Sequence, residues 1–130
     1  MKREIKFRGL RTDGKGWACG SLINAEHGKC LICTFWAFDG ANDIYDFHEV
    51  DPETVGQFTG LQDRNGVDIY EGDIDIQRFV FTYNVNMGGW YRMKDGEGFQ
   101  WHSQACTHGG TRLPFEIIGS IHNNPELMEK

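Results

Sequence analysis

Apolar and polar residues alternate with a period of two along several short segments, which is the pattern of half-buried β-strands. The first such segment is residues 3–8, where Ile5 and Phe7 alternate with Lys6 and Arg8. No segment shows a sustained helical period over the main part of the chain, so the pattern predicts a mainly β fold. Further segments predicted as strands are 17–23, 30–38, 44–50, 55–61, 67–70, 74–85, 90–93 and 115–121.

Turn-forming sequences separate these strands, and glycine accounts for 17 of 130 residues against 3 prolines. Glycines at this density and without a repeat are expected at turns and bulges. The Asn65-Gly66 pair gives the strongest hairpin signal, because both residue types tolerate the positive φ of a tight turn. Residues 94–112 show little periodicity and are predicted as a loop, whereas residues 124–129 begin with Asn-Pro-Glu and predict a short C-terminal helix.

The segment 30–38 differs from the other strands because it is apolar at nearly every position. In a small β protein this pattern indicates either a central strand covered on both faces or an interface between subunits. With no linker and no internal repeat, residues 1–130 are predicted to form a single β-rich domain that associates as a homo-oligomer.

The formal net charge of −6, with a pI near 5.3, disfavours bulk electrostatic capture of nucleic acid. The charge is uneven, since residues 1–16 hold six Lys or Arg against two acids. These cations fit the solvent face of a first strand. They also leave open an alternative, in which this terminus binds single-stranded nucleic acid while Trp90 or Trp101 stacks on the bases.

The first residues lack the apolar run of a secretory signal, and no stretch approaches 18 consecutive apolar residues. We therefore expect a cytoplasmic protein with no membrane association. Its four cysteines, Cys19, Cys30, Cys33 and Cys106, are then expected to be thiols.

Two groups of residues have the composition of a metal site. Cys30 and Cys33 form a CxxC pair, but on a strand these side chains point to opposite faces, which favours buried apolar cysteines. His102, Cys106 and His108 could offer three zinc ligands from one loop, although the paired spacing of structural zinc sites is missing. No cofactor is predicted.

Acidic residues fall into two sets, 39–53 and 63–75, which could in principle hold a divalent ion for hydrolysis. Carboxylates at turns also accept hydrogen bonds from nearby backbone N–H groups, and we prefer that interpretation. The sequence contains no GxSxG, P-loop or HExxH motif. No catalytic residue is assigned, and a metal-dependent hydrolase stays the least favoured alternative.

The run VDPETVGQFTGLQDRNGVDIYEGDI occupies residues 50–74. This run closely resembles the signature segment of the YopX family of phage and prophage proteins. The chain is also similar to that family in residues 3–9, 16–23, 115–121 and 124–127, whereas residues 24–49 and 75–114 match least.

The resemblance implies a small β-rich protein with an SH3-like barrel, encoded by a phage or prophage and without an established activity. It supplies no catalytic motif. The glycines and the Asn65-Gly66 turn of the signature segment are interpreted as architecture. In the alternative interpretation, parts of that segment and two tryptophans form a binding surface composed of Gln57, Tyr70, Glu71, Asp73, Trp90 and Trp101.

Taken together, the sequence predicts a non-enzymatic accessory protein of a phage or prophage that works by binding. Its partner is expected to be a second copy of the chain or a phage or host protein.

Overall fold

In a computed structural model, residues 4–86, 88–95, 97–99 and 112–128 are described, and the chain forms two compact units, residues 1–57 and 58–130. The described residues are mainly β, as the sequence predicts. Their strands are β1 (Phe7–Leu10), β2 (Trp17–Asn24), β3 (Cys30–Phe38), β4 (Asp43–Val50), β5 (Gly56–Gln62), β6 (Asp68–Tyr70), β7 (Asp73–Asp75), β8 (Val80–Asn84), β9 (Gly89–Lys94), β10 (Glu97–Phe99) and β11 (Ile117–Ser120).

The first unit is an antiparallel sheet in which β4, β3, β2 and β1 are neighbours in that order, and Gly56 and Gln57 of β5 pair with β1. Ala18, Ile32 and Val50 are buried together on one face of this sheet. Because side chains alternate across a strand, the neighbouring positions on each strand face the other way. The apolar core of this unit thus uses only one of its two faces.

The β3–β4 hairpin extends beyond the rest of this sheet. Strand β2 pairs with β3 only over Cys30–Cys33, whereas β3 and β4 remain paired up to Phe38 and Asp43. Residues 34–46 therefore form a two-stranded extension. At the opposite end of the hairpin, Arg11 makes an isolated antiparallel bridge to Val50.

The second unit contains the β5–β6 hairpin and an antiparallel sheet with the strand order β10-β9-β8-β7-β11. Its core is formed by Ile69, Phe81 and Leu113, with Phe115 and Ile117 packed against them. The phenyl rings of Phe81 and Phe115 lie 6.3 Å apart between centroids. These side chains come from different strands and loops of the unit, so its core depends on how the turns place them.

The predicted strand 74–85 is wrong in one respect, because the structure divides it into the hairpin of β7 and β8. The carboxylate of Asp75 accepts hydrogen bonds from the backbone N–H groups of Gln77 and Phe79, both at 3.0 Å. Arg78 between them adopts a left-handed conformation with φ 69°. Side-chain capping of the backbone at Asp75 therefore overrides the strand propensity of the flanking apolar residues.

The hairpins predicted at 17–38 and around Asn65-Gly66 are confirmed as β2–β3 and β5–β6. In the second of these turns only Gly66 has a positive φ, of 83°. The first strand begins at Phe7, four residues later than predicted, and the predicted loop 94–112 contains β10.

Two finer predictions about the fold are not met by the described residues. The strands form open sheets, with no closed barrel. The predicted C-terminal helix is a single 3₁₀ turn over Pro125–Met128. The chain begins this turn with Asn124 as predicted, but no further hydrogen-bonded turn follows within the described residues.

Candidate binding surface

The buried carboxylate of Asp63 organises the turn between β5 and β6. One of its oxygens accepts hydrogen bonds from the backbone N–H groups of Asn65 and Val67, at 2.8 and 2.9 Å. The other accepts from the N–H of Ile117 at 3.0 Å, and the side chain is fully buried. Asp63 therefore holds one hairpin turn closed and ties β11 to it.

Asp75 is also fully buried, and it forms an ion pair with Arg92. Its Oδ2 accepts from Nε and Nη2 of Arg92 at 2.9 and 2.7 Å, while its Oδ1 caps the turn described above. The guanidinium of Arg92 stacks on the rings of Phe79 and Phe115, at 4.1 and 3.6 Å from their centroids. Every oxygen of this carboxylate is engaged in holding the fold.

The acidic set 63–75 consequently has a structural role for four of its members, Asp63 and Asp75 described above and Asp73 and Asp68. Asp73 is 2% exposed and accepts a hydrogen bond from the backbone N–H of Tyr70 at 2.8 Å. Asp68 accepts from the side-chain amide of Gln62 at 3.1 Å. Among the described residues, no group of three or more His, Cys, Asp or Glu side chains is arranged to hold a metal ion.

The residues predicted as a binding surface lie in different environments. Gln57 pairs with Phe7 in the first unit, whereas the others belong to the second unit. Tyr70 is buried like Asp73, and its ring packs on Phe58 at 5.6 Å between centroids. The side chains that are at least partly exposed are Gln57, Glu71 and Trp90, while Trp101 lies outside the described residues.

Glu71 and Trp90 of that set lie near Tyr83. The carboxylate of Glu71 accepts from the N–H of Tyr83 at 3.5 Å, and the rings of Tyr83 and Trp90 meet edge to face at 5.3 Å. The Trp90 ring thus makes an intramolecular contact. His102, Cys106 and His108, which the sequence allows as zinc ligands, lie outside the described residues.

The basic N-terminal region is partly neutralised within the chain. Arg8 is buried and stacks on Trp17 with its guanidinium carbon 4.1 Å from the ring centroid. Arg11 pairs with Asp13 at 2.6 Å, and Lys6 with Glu4 at 3.2 Å. Ile5 is 66% exposed among these charges.

The CxxC pair lies on β3, as predicted, and its two side chains point to opposite faces. Cys30 packs beside the core residues Ile32 and Val50, whereas Cys33 is paired with Phe47 on the other face. Cys19, Cys30 and Cys33 are free thiols. This arrangement agrees with strand alternation and gives no convergent pair of sulfur ligands.

The face of β3 and β4 opposite the core carries three neighbouring exposed aromatic rings. Phe35, Tyr45 and Phe47 are 56%, 48% and 59% exposed, and the rings of Phe35 and Tyr45 meet edge to face at 5.7 Å between centroids. Ile23 on β2 continues the same face with 38% of its surface exposed. We call Ile23, Phe35, Tyr45 and Phe47 the hairpin surface.

The sequence marks strand 30–38 as apolar on both faces but does not single out Tyr45 and Phe47. The sequence feature that could have found them is the weak alternation of residues 44–50, where apolar side chains stand at both even-numbered and odd-numbered positions. The even-numbered positions end in the buried Val50, and the odd-numbered positions hold the two exposed rings. The hairpin surface is exposed because its strands are apolar on both faces while the core covers only one face.

The surroundings of the hairpin surface are acidic. Residues 30–54 contain six carboxylates and no Lys or Arg. Asp39 in the turn of the hairpin accepts hydrogen bonds from the N–H groups of Asn42 and Ala41, at 2.7 and 2.9 Å. The N–H of Asn42, followed by that of Ala41, lowers the pKa of this carboxyl below its ordinary value. Asp39 is therefore ionised at neutral pH.

A separate groove of about 540 Å³ lies at the base of the first unit, where Arg11 meets Val50. Its walls combine the cations of Arg11 and Lys29 with the carboxylates of Glu49 and Asp51. The opposite charges balance, so the groove favours no single class of ligand.

Comparison with known proteins places the chain in a family. The family described as "YopX protein" matches residues 6–129. The chain belongs to the YopX family. No curated protein matches the chain.

A solved structure similar to this YopX protein is the crystal structure of protein EF1440 from Enterococcus faecalis. The TM-score is 0.54 at 20% sequence identity, and the match covers 98% of this chain and 100% of the other. At this identity the similarity speaks for the fold alone. Within the described residues, no helix of the YopX protein is long and apolar enough to span a membrane.

Proposed function

We propose that this YopX protein is a non-enzymatic accessory protein of a phage or prophage, acting in the bacterial cytoplasm by binding a protein partner through the hairpin surface. The observation that carries the proposal is the exposure of Phe35, Tyr45 and Phe47 side by side on one sheet face. Exposed aromatic rings in contact with water cost free energy that a partner recovers by covering them.

The carboxylates of the second unit support a binding role over a hydrolytic one. Asp63 and Asp75 direct their oxygens at backbone N–H groups and at Arg92, so their lone pairs are occupied inside the fold. A hydrolytic site needs carboxylates that converge on an accessible position. We propose that the signature segment maintains the fold and that the β3–β4 hairpin makes the contacts.

A second copy of the chain is the first partner to test, and the replacement Phe47→Ser is the matched probe. Sedimentation velocity at micromolar concentrations is expected to show the wild-type chain above its monomer mass of 14.9 kDa and the variant at that mass. Val85→Ser serves as the control, because Val85 is 80% exposed but lies in the second unit.

The outcome that speaks against self-association is a wild-type chain that sediments as a monomer over the whole concentration range. If Val85→Ser dissociates to the monomer like Phe47→Ser, self-association depends on general surface hydrophobicity and not on the hairpin surface.

A further inference from the structure

The outer edge of β4 offers backbone hydrogen-bonding groups beside the hairpin surface. Thr12 donates its N–H to the carbonyl of Glu49 at 3.0 Å, so this carbonyl points away from β3. N–H and C=O groups alternate in direction along a strand, so those of Phe47 and Tyr45 point to the same outer side. Within the described part of the chain, no residue pairs with β4 on that side before Glu49.

An open edge beside exposed rings is a place where an extended segment can add as a further strand. The backbone of the added strand would pair with Tyr45 and Phe47, and its alternate side chains would cover their rings. The charge of the surrounding side chains then selects among possible strands, because like charges placed opposite each other are destabilising.

Symmetric pairing of two β4 edges is disfavoured by this charge. In the antiparallel register that sets Tyr45 opposite Phe47 of a second copy, Asp46 faces Asp46 and Asp43 faces Glu49. Each aromatic contact in that register is accompanied by opposed carboxylates. A segment that carries cations next to apolar residues avoids this repulsion and gains attraction instead.

The chain itself contains such a segment at Lys2–Lys6, which holds three cations and one acid around the exposed Ile5. Five extended residues span about 17 Å, the length of the open edge from Asp43 to Phe47. The described residues Glu4, Ile5 and Lys6 precede β1 and belong to no strand.

We propose that Lys2–Lys6 of one copy adds as an antiparallel or parallel strand to the open β4 edge of the next copy. Ile5 then packs against the rings of Tyr45 and Phe47, and the cations lie near Asp43 and Asp46. This inference rests on the proposed binding role of the hairpin surface and specifies its occupant. The contact joins two different surfaces, so copies add head to tail.

Mixing two disabled variants tests this arrangement. The edge variant, Asp46→Lys with Phe47→Lys, repels a basic strand but keeps an intact N-terminal segment. The donor variant, Arg3→Glu with Ile5→Glu, keeps an intact β4 edge. Each variant alone is expected to sediment at 14.9 kDa. An equimolar mixture is expected to form a species of twice that mass, because the edge variant supplies the segment that the donor variant's edge accepts.

Circular dichroism and the urea midpoint of each variant establish that it is folded, and Val85→Lys controls for an added surface cation. A mixture that stays at the monomer mass overturns the head-to-tail contact. The head-to-tail contact is also overturned if the donor variant self-associates like the wild type and the edge variant stays monomeric. That result leaves the hairpin surface as the binding site. A monomeric wild-type chain removes both the strand addition and self-association through the hairpin surface.

Discussion

The hairpin surface in the first unit and the buried carboxylates in the second unit use their side chains in opposite ways. Asp63 and Asp75 are fully enclosed, and the structure gives each of their oxygens a partner. Phe35 and Phe47 turn more than half of their surface to solvent. The first arrangement fixes turns and strand positions, whereas the second leaves apolar surface exposed to solvent.

The segment that identifies the family and the surface that is proposed to bind a partner lie in different parts of the chain. The signature segment, residues 50–74, contains the turn of Asp63 and the start of β7, which are explained by architecture. The hairpin surface, by contrast, lies outside the signature segment, on β2, β3 and β4. The signature segment is thus explained by the fold, while the proposed contact depends on exposed side chains of β2, β3 and β4.

The replacement Arg92→Leu should have the largest effect on stability. It leaves the buried carboxylate of Asp75 without its cation, and breaking a buried pair in this way costs about 3–5 kcal/mol. Urea unfolding followed by circular dichroism measures the loss. The control is Arg64→Leu, which removes a more exposed pair with Glu116 and should cost about 1 kcal/mol or less. Equal effects of the two replacements would contradict the structural role of Asp75.

The replacement Asp63→Ala should follow, with a loss of about 2–4 kcal/mol, because three backbone N–H groups lose their acceptor. Asp51→Ala is the control, since Asp51 is an exposed turn carboxylate that accepts from the N–H of Glu53. Its cost should stay at about 1 kcal/mol or less. If Asp63→Ala unfolds at the wild-type urea concentration, this carboxylate does not organise the β5–β6 turn.

The replacement Phe47→Ser should change the free energy of unfolding of the monomer by only about 0.5 kcal/mol, because the ring is 59% exposed. Urea unfolding at a concentration where the protein is monomeric checks this value. A large loss would mean that Phe47 serves the fold, and the comparison between the two regions would no longer hold.

The smallest effect is expected from protonation of Asp39. The amides of Asn42 and Ala41 lower its pKa in the folded state from the ordinary 3.8, so its contribution is complete above the ordinary value and is lost as the pH falls through the folded value. In an NMR titration, the amide shifts of Ala41 and Asn42 should move with a midpoint below 3.8. A midpoint at or above this value would show that the amides do not bind the carboxylate.

The sequence predicts a turn or a strand correctly where the residues that determine it are close together in the chain. The β5–β6 turn follows from Asn65-Gly66, and the opposite directions of Cys30 and Cys33 follow from alternation. The break at Asp75 is not visible in the pattern, because the apolar residues that flank it, Ile74, Ile76 and Phe79, favour a strand. The side chain of Asp75 decides it through bonds to both the backbone and Arg92, which is 17 residues away.

The sequence predicts only part of the hairpin surface. Strand 30–38 is apolar at nearly every position, which indicates either a central strand covered on both faces or an interface. Which face is covered depends on packing that lies outside the strand itself. Tyr70 and Asp73 show the reverse case, since their residue types suit a binding groove and the fold buries both.

Sedimentation equilibrium of the wild-type chain across a concentration series tests the central claim most directly. The hairpin surface is expected to drive association, so the mean mass should rise above 14.9 kDa with concentration, and Phe35→Ser with Phe47→Ser should restore that mass without moving the urea midpoint of the monomer. A wild-type mass of 14.9 kDa at every concentration would contradict association through these rings.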